Sequence, residues 1–441
     1  MAKTISKIDS AWLEILKKYP QIEKYTKNGG IYEIKADDIR KFREPRLMTK
    51  FDTSESVAEP LKERGLNILP LSRSSYAIGR FDLYEKFSTE LTDTKPVSIS
   101  LPDYETLRVE NITSESNAIN ALLASHTLER FLGEEGQNLT QTFNGRMGTG
   151  NFGFNVNLKG LGNVAKSQYL RINGAQLEID GGFESQNSIC IMEAKNIQHD
   201  NFNVRQLYFP YRKYLSIVKK PIRLVFSQYV NMTYYLHEYK FTDPNSFSSI
   251  ELVDTQAYTF KDNKITMKDL ISTWQDTEPT ISDDHRTTQI PFIQADKFKR
   301  IIALAERLNT ADNNIMTTDE VTEFMGTVQR QANYYSSAGI YLGLFERLVP
   351  GKIHLTEVAH KILKLDYKER QLAYVGLILR HKIFHNLFKV VINKGTVPDK
   401  PYIEDLMIKL NVCEPFSSTV TRRASSVVSW LEWILSLNDD R

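Results

Sequence analysis

The chain has 441 residues, with 56 lysines and arginines against 54 aspartates and glutamates, for a formal charge of +2. That length exceeds one ordinary hydrophobic core and calls for roughly two to four domains. The charge balance excludes a long polybasic tail but not a local basic face. Cys190 and Cys413, far apart in sequence, exclude a disulfide framework or a cysteine zinc site, and Cys190 falls in an apolar run as a small core residue does. Without the apolar run of a signal peptide or of a membrane span, the expected compartment is the cytosol.

Residues 1–90 open with a helical pattern over Ser10–Tyr25, where Trp12, Ile15, Leu16, Tyr19 and Ile22 recur at three- and four-residue steps until Gly29-Gly30. Short helices follow at Ala36–Phe42 and Glu55–Arg64. Short strands are expected at Leu66–Leu71, an edge strand because of Pro70, and at Tyr76–Gly79. Helices followed by a small hairpin suggest a winged-helix-like module, for packing or for DNA. Residues 91–110 read as strand and linker. From Ser114, a plausible N-cap, a single helix is expected to Leu132, stopped by Gly133, with Glu115, Ala118, Leu122, Ser125 and Glu129 along one face.

Gly148-Thr149-Gly150-Asn151-Phe152-Gly153 matches G-x-G-x-x-G literally, and Val164-Ala165-Lys166 adds a superficial kinase likeness. No helix signal opens at the glycines and no HRD or DFG triplet follows, so neither nucleotide reading holds. Asn144–Met147 leading into Asn151–Leu158 is expected as a loop and strand facing DNA, with Arg146 either a phosphate or base contact or an ordinary exposed arginine.

Residues 176–195, QLEIDGGFESQNSICIMEAK, organise the rest. Gln176–Asp180 alternates polar and apolar residues as a half-buried strand does, and Gly181-Gly182 suits a turn. Ser188–Lys195 reads as a second strand, with Glu193 and Lys195 on one face and Ala194 on the other. A hairpin-like pairing brings Asp180 opposite Glu193. Two carboxylates that close repel unless a hard dication takes their oxygens, and Mg²⁺ suits a site of one or two carboxylates plus phosphate and water. Lys195 can orient or help deprotonate the attacking water and offset charge on a phosphate. A structural Glu–Lys pair beside an acidic turn is the ordinary alternative.

After Lys195 come a helix around Gln206, an amide either near the active site or, as the ordinary alternative, on the helix surface, and strands at Ile222–Tyr229, Met232–Phe241 and Ser249–Tyr258. Asp276–Pro291 reads as a linker. Helices follow at Ala295–Leu308, Asp319–Met325 capped by Thr318, and Val328–Leu342. A hairpin around Pro350-Gly351 and Thr356–Leu363 complete a helix–turn–helix–wing order. Arg330, Gln331 and Asn333 are residue types that read guanine and adenine in the major groove, though such modules also serve as dimerisation elements. Tyr402–Leu410 is helical. Phe416–Thr419 introduces a last helix carrying Arg422 and Arg423, suited to phosphates, with Trp430 and Trp433 as core.

Asp180…Glu193-Ala194-Lys195 resembles the PD-(D/E)xK nuclease motif, with Ile179 where the motif name has proline. Asn203–Arg212 and Arg43–Asp52 resemble the flanks of type II restriction endonucleases of that superfamily, so the likeness covers most of the chain. The end of the chain resembles their C-terminal winged helices. The resemblance implies an α+β multidomain chain. Its parts are an N-terminal module (1–90), a nuclease core of mixed sheet flanked by helices (91–275), a linker (276–294), a winged-helix-like domain (295–395) and a C-terminal helical module (396–441). It further implies Mg²⁺ held by Asp180, Glu193 and the Ala194 carbonyl, with Lys195 placing water. A first-helix acidic residue, Glu115 or less directly Glu129, would reach the metal site, unless Glu115 is only a solvated first-turn glutamate. The implied partners are double-stranded DNA, a second copy of the chain when cleaving, and a cognate DNA methyltransferase.

Overall fold

The computed structural model describes residues 6–88, 96–109, 112, 114–160, 167–260, 264–288, 290–413 and 419–439. The Trp12–Leu16 stripe forms α1 (Lys7–Lys18), capped by the Ser6 hydroxyl, and α2 (Gln21–Thr26) restarts at Pro20, so the expected single helix is two. Then come β1 (Tyr32–Lys35), α3 (Ala36–Arg40), α4 (Pro45–Thr49), α5 (Glu59–Lys62), β2 (Asn67–Pro70) and β3 (Ser75–Gly79). The antiparallel sheet runs β1-β3-β2, which leaves Pro70 on an edge strand as expected. Strand β1 had no counterpart in the sequence reading. This unit has its own core around Trp12, Ile34, Met48 and Ile78.

Next in order are β4 (Tyr84–Lys86), β5 (Val97–Ser98), α6 (Glu115–Ala124), α7 (Thr127–Leu132), β6 (Thr140–Gly148), β7 (Asn151–Asn157) and β8 (Ser167–Asn173). They lead into β9 (Gln176–Glu184), β10 (Ile189–Lys195), β11 (Asn201–Asn203), α8 (Arg205–Leu215), β12 (Ile222–Val230), β13 (Thr233–Phe241), β14 (Ile250–Thr259) and α9 (Met267–Asp276). Seven strands make one mixed sheet in the order β5-β14-β13-β12-β10-β9-β6. β10 and β12 are parallel, which requires a crossover, and α8 lies in that connection. Cys190, Met192 and Ala194 pack in the core with α6 and α7, whereas Ile189 and Ile191 pack in the core with α8. The two-residue alternation of β10 thus feeds two layers, as expected of a buried strand.

Three local expectations are corrected. The helix from Ser114 breaks at His126, which adopts a left-handed conformation (φ 52°) after Ser125 turns its hydroxyl back onto the Ala121 carbonyl. The strand holding Asp180 does not end at Gly181-Gly182 but continues to Glu184. A Cβ on Gly182 would stand 2.2 Å from the Phe143 ring and one on Gly181 2.6 Å from the Phe183 ring, so these glycines make room for rings rather than a turn. Asn144–Met147 lies within strand β6, not in a loop.

The remainder comprises α10 (Phe298–Asn309), β15 (Ile315–Thr317), α11 (Thr318–Met325), α12 (Gln329–Tyr341), β16 (Phe345–Glu346), β17 (Lys352–Leu355) and α13 (Glu357–Leu363). Four more helices follow: α14 (Tyr367–Leu379), α15 (Lys382–Lys394), α16 (Lys400–Lys409) and α17 (Thr419–Ser436). Thr317, rather than Thr318, caps α11 in a reciprocal pair with Glu320. The small sheet runs β15-β17-β16, repeating the first–third–second order of the N-terminal unit. Residues 277–288 contain no helix or strand, yet they are pinned. Asp283 accepts from Tyr341 Oη at 2.6 Å and pairs with His381 Nδ1 at 2.8 Å. One continuous apolar cluster joins α6, the sheet residues Val225 and Tyr229, and α10 through α17, so no break in packing falls at the linker. Trp430 and Trp433 are buried in it, as core residues are. Among the described residues no helix is long and apolar enough to cross a membrane.

Candidate active site and its cleft

The register of β9 against β10 pairs Gly181 with Met192, and one residue further it sets Asp180 beside Glu193. Asp180 Oδ2 accepts from the Ala194 amide at 2.9 Å, which fixes that carboxylate against the neighbouring strand. Lys195, the last residue of β10, turns its ammonium onto three carboxylates. Nζ lies 2.7 Å from Glu193 Oε1, 3.5 Å from Glu115 Oε1 and 3.8 Å from Asp180 Oδ2, and donates to the Ala194 carbonyl at 3.1 Å. Glu115 arrives from the first turn of α6, whose start is set by Ser114 accepting from the Asn117 amide at 3.1 Å. From α8, Gln206 Nε2 donates to Glu193 Oε1, while Gln206 Oε1 is buried with no protein partner.

The electrostatics follow from burial. Glu193, only 7% exposed, has its carboxyl pushed up to about 8, first by desolvation and then by the Asp180 charge, against the pull of Lys195. Glu115 is raised too, again by desolvation before the Asp180 charge. Desolvation alone would lower the Lys195 ammonium. Glu193, Glu115 and Asp180 outweigh it and hold the group well above its usual value. Three carboxylates against one ammonium leave the site short of positive charge. Among the described residues no three Asp, Glu, His or Cys side chains already stand in a metal-ligating arrangement. The donor set is two carboxylates and a peptide carbonyl, with the unsatisfied Gln206 oxygen beside them, which is an all-oxygen chemistry that suits a hard dication.

These residues form the floor of a cleft of 850 Å³ shared by three parts of the chain. The N-terminal unit contributes Arg46 and Thr49 from α4, Lys50 and Asp52 just after it, and Arg73 and Tyr76 from the β2–β3 hairpin. The sheet unit adds Arg146, Glu178 and Arg205. The later unit adds Arg307 and Thr310 from the end of α10, with Glu323 and Phe324 from α11. Cations therefore ring an acidic floor.

Asp180, Glu193, Ala194, Lys195 and Glu115 are brought together. Glu129 is not: it bonds His126 at 3.0 Å and the Leu139 amide at 3.3 Å. Arg146 lines the cleft from β6 but is ion-paired with Glu178 at 2.9 Å. Arg330, Gln331 and Asn333 lie on α12, outside the cleft lining. There Arg330 Nε donates to Tyr334 Oη at 2.8 Å, and Gln331 Oε1 accepts from the Thr327 hydroxyl. Arg422 donates to Gln294 at 2.7 Å, and Arg423 is half-buried against Cys413 Sγ at 3.2 Å. Phe416–Ser418 and Val164–Lys166 lie outside the described residues. Of the two readings of Gln206, the one near the candidate site holds and the ordinary surface amide does not, since it is buried on Glu193. The positions of Arg46, Arg73 and Arg307 in the cleft lining were not anticipated. For the first of these the signal was its place in Arg43–Asp52, the flank that carries part of the family resemblance.

Three family models match the chain, each described as a domain of unknown function: DUF6996 over residues 9–78, DUF6997 over 79–259 and DUF7226 over 300–439. No curated protein and no solved structure matches it. The sequence is thus similar to three adjoining families, and the middle one holds Glu115, Asp180, Glu193 and Lys195.

Proposed function

We propose that the chain is a Mg²⁺-dependent endonuclease of double-stranded DNA, of the type II restriction class, built on a PD-(D/E)xK core with winged-helix-like units on either side. The observation that carries the reading is the convergence of Lys195 Nζ on Glu193, Glu115 and Asp180, within 2.7–3.8 Å, at the floor of a cleft ringed by arginines. An ammonium held among carboxylates in a wide polar cleft suits a polyanionic substrate better than it suits a fold-stabilising pair, which would be covered. The repeated strand order of 7–79 and 298–355, with helices ahead of a closing hairpin in each, supports the flanking units as winged helices.

Asp180, Glu193 and the Ala194 carbonyl would hold Mg²⁺, which when bound would supply Lewis acidity and offset the phosphate charge. Asp180 is oriented for this by the Ala194 amide, and Glu193 by Gln206. Lys195 positions the attacking water and stabilises the charge that builds on the phosphate oxygens. Glu115, on the open side of Lys195, keeps that ammonium aimed into the cleft. The products are a 5′-phosphate and a 3′-hydroxyl. Cutting both strands needs two such sites, so two copies meet on the duplex, and a cognate DNA methyltransferase protects the host sites in the cytosol. The test is incubation with plasmid DNA and Mg²⁺. Discrete fragments support the reading, a smear indicates a nonspecific or repair nuclease, and shifted but uncut DNA indicates a non-catalytic DNA-binding regulator.

A further inference from the structure

Sequence reading at this site has a different source from the one the polar face of α12 suggests. The two flanking units share one strand order, β1-β3-β2 and β15-β17-β16, each with helix ahead of the first strand and further helices between that strand and a closing hairpin. The units turn different faces to the cleft, however. The later unit presents the end of α10 and part of α11, and none of α12. The N-terminal unit presents α4 and its hairpin.

Helix α4 is built for this. Pro45 and Met48 are buried on one side, and the Met48 carbonyl accepts from Trp12 Nε1 at 3.1 Å, which anchors the helix. Arg46 and Thr49 on α4, with Lys50 just past its end, line the cleft. Arg46 is exposed and has no side-chain partner among the described residues, and Lys50 has only a 3.6 Å contact with Asp52. Arg73, exposed on the β2–β3 turn, reaches within 3.9 Å of where a Gly148 side chain would begin, so it stands toward strand β6.

The helix is also held in register with the catalytic floor. The Asn203 amide donates to the Asp52 carbonyl at 2.8 Å and Asn203 Nδ2 to the Phe51 carbonyl at 3.1 Å, while the Ser54 amide donates to Asn201 Oδ1 at 2.7 Å. These bonds tie the segment after α4 to β11, which leads directly into α8 and Gln206 on Glu193.

Resting on the nuclease reading, we infer that α4 is the base-reading element. Arg46 takes a guanine edge in the major groove, and Lys50 and Arg73 take the flanking phosphates. The rigid planar guanidinium fork presents two parallel N–H donors to guanine O6 and N7, a geometry that the flexible ammonium of lysine holds less selectively, whereas lysine serves a phosphate well as a point charge.

The test uses the full chain with Ca²⁺ and a randomised duplex pool, sequencing what is retained by wild type and by Arg46→Ala, Arg46→Lys and Arg330→Ala. Wild type is expected to enrich a motif containing guanine. Both Arg46 variants are expected to lose preference at one position by about 5- to 150-fold, and Arg330→Ala to enrich the wild-type motif. Arg46→Lys keeps the charge, so its loss reports the bidentate contact rather than general affinity. An unchanged motif from both Arg46 variants, a motif erased by Arg330→Ala, or no motif from wild type overturns the inference. Plasmid cleavage in Mg²⁺ is scored separately. A motif that depends on Arg46 without any cleavage removes the nuclease reading and leaves the reader standing. Cleavage with an Arg46-independent motif does the reverse.

Discussion

Lys195→Met removes the one ammonium that faces three carboxylates at 2.7, 3.5 and 3.8 Å. Stripping one partner from a buried ion pair costs about 3–5 kcal/mol, because the remaining charge stays desolvated. Two features reduce this here. Glu115 is partly exposed, so its share is screened by water, and Glu193, already pushed up to about 8, takes up a proton rather than remain charged. The expected loss is therefore about 2–3 kcal/mol near pH 8. Its pH dependence has a fixed sign. A carboxyl whose folded pKa lies above its unfolded value of about 4.3 binds a proton on folding, so its penalty is absent at low pH and grows as pH rises through the folded value. Loss of the ammonium raises that folded value further, so the variant should approach wild type near pH 5 and its deficit should widen as pH rises through 8 and beyond. Mg²⁺ should restore part of the deficit by supplying charge to the same oxygens. Thermal melting of both proteins across that range, with and without Mg²⁺, reads this directly. A deficit largest in acid, or none at any pH, would refute the view that Lys195 neutralises this site.

Asp180→Ala and Glu193→Gln should each abolish Mg²⁺-dependent cleavage of plasmid while leaving duplex binding largely intact, and wild type with Ca²⁺ should bind without cutting; undiminished cutting by Asp180→Ala removes the site assignment. His237, buried on β13 beside the Phe87 ring at 4.7 Å, has its imidazole pushed down to about 3 by desolvation. The unfolded chain binds that proton below about pH 6.5 and the folded one only below about 3, so stability drains across this window by about 1.4 kcal/mol per pH unit. Acid unfolding of His237→Phe should show a slope shallower by one proton, and identical slopes would contradict the assignment. Arg370, 2% exposed, donates to the Leu363 carbonyl at 2.8 Å and stands 3.6 Å from Glu306. Arg370→Met should cost about 3–5 kcal/mol, and adding Glu306→Gln should recover part of it because the stranded carboxylate goes too. Additive losses in chemical unfolding would show that the two side chains act independently.

What the sequence determined by itself was set by short-range regularity. The alternation of 176–180 and 188–195 placed Glu193 and Lys195 on one side of a strand and Ala194 on the other, and residues 222–259 read as three strands close to their observed bounds. The residues that would share a site were legible because a hairpin pairing follows from register alone. Tertiary structure decided the rest. Gly181-Gly182 resembles a turn until the rings of Phe143 and Phe183 are seen filling the space a side chain would take. Helix α14 buries Arg370 and Gln371 among apolar residues, so its periodicity is hidden and neither it nor α15 was anticipated. Gln206 could pass for a surface amide because its partner, Glu193, belongs to another element. The contact of Lys195 with Glu115 spans 80 residues and that of Asn203 with Phe51 spans 152. A local pattern records which face of an element is apolar. Which polar side chains are then desolvated against one another depends on elements distant in sequence, and only the packed chain settles that.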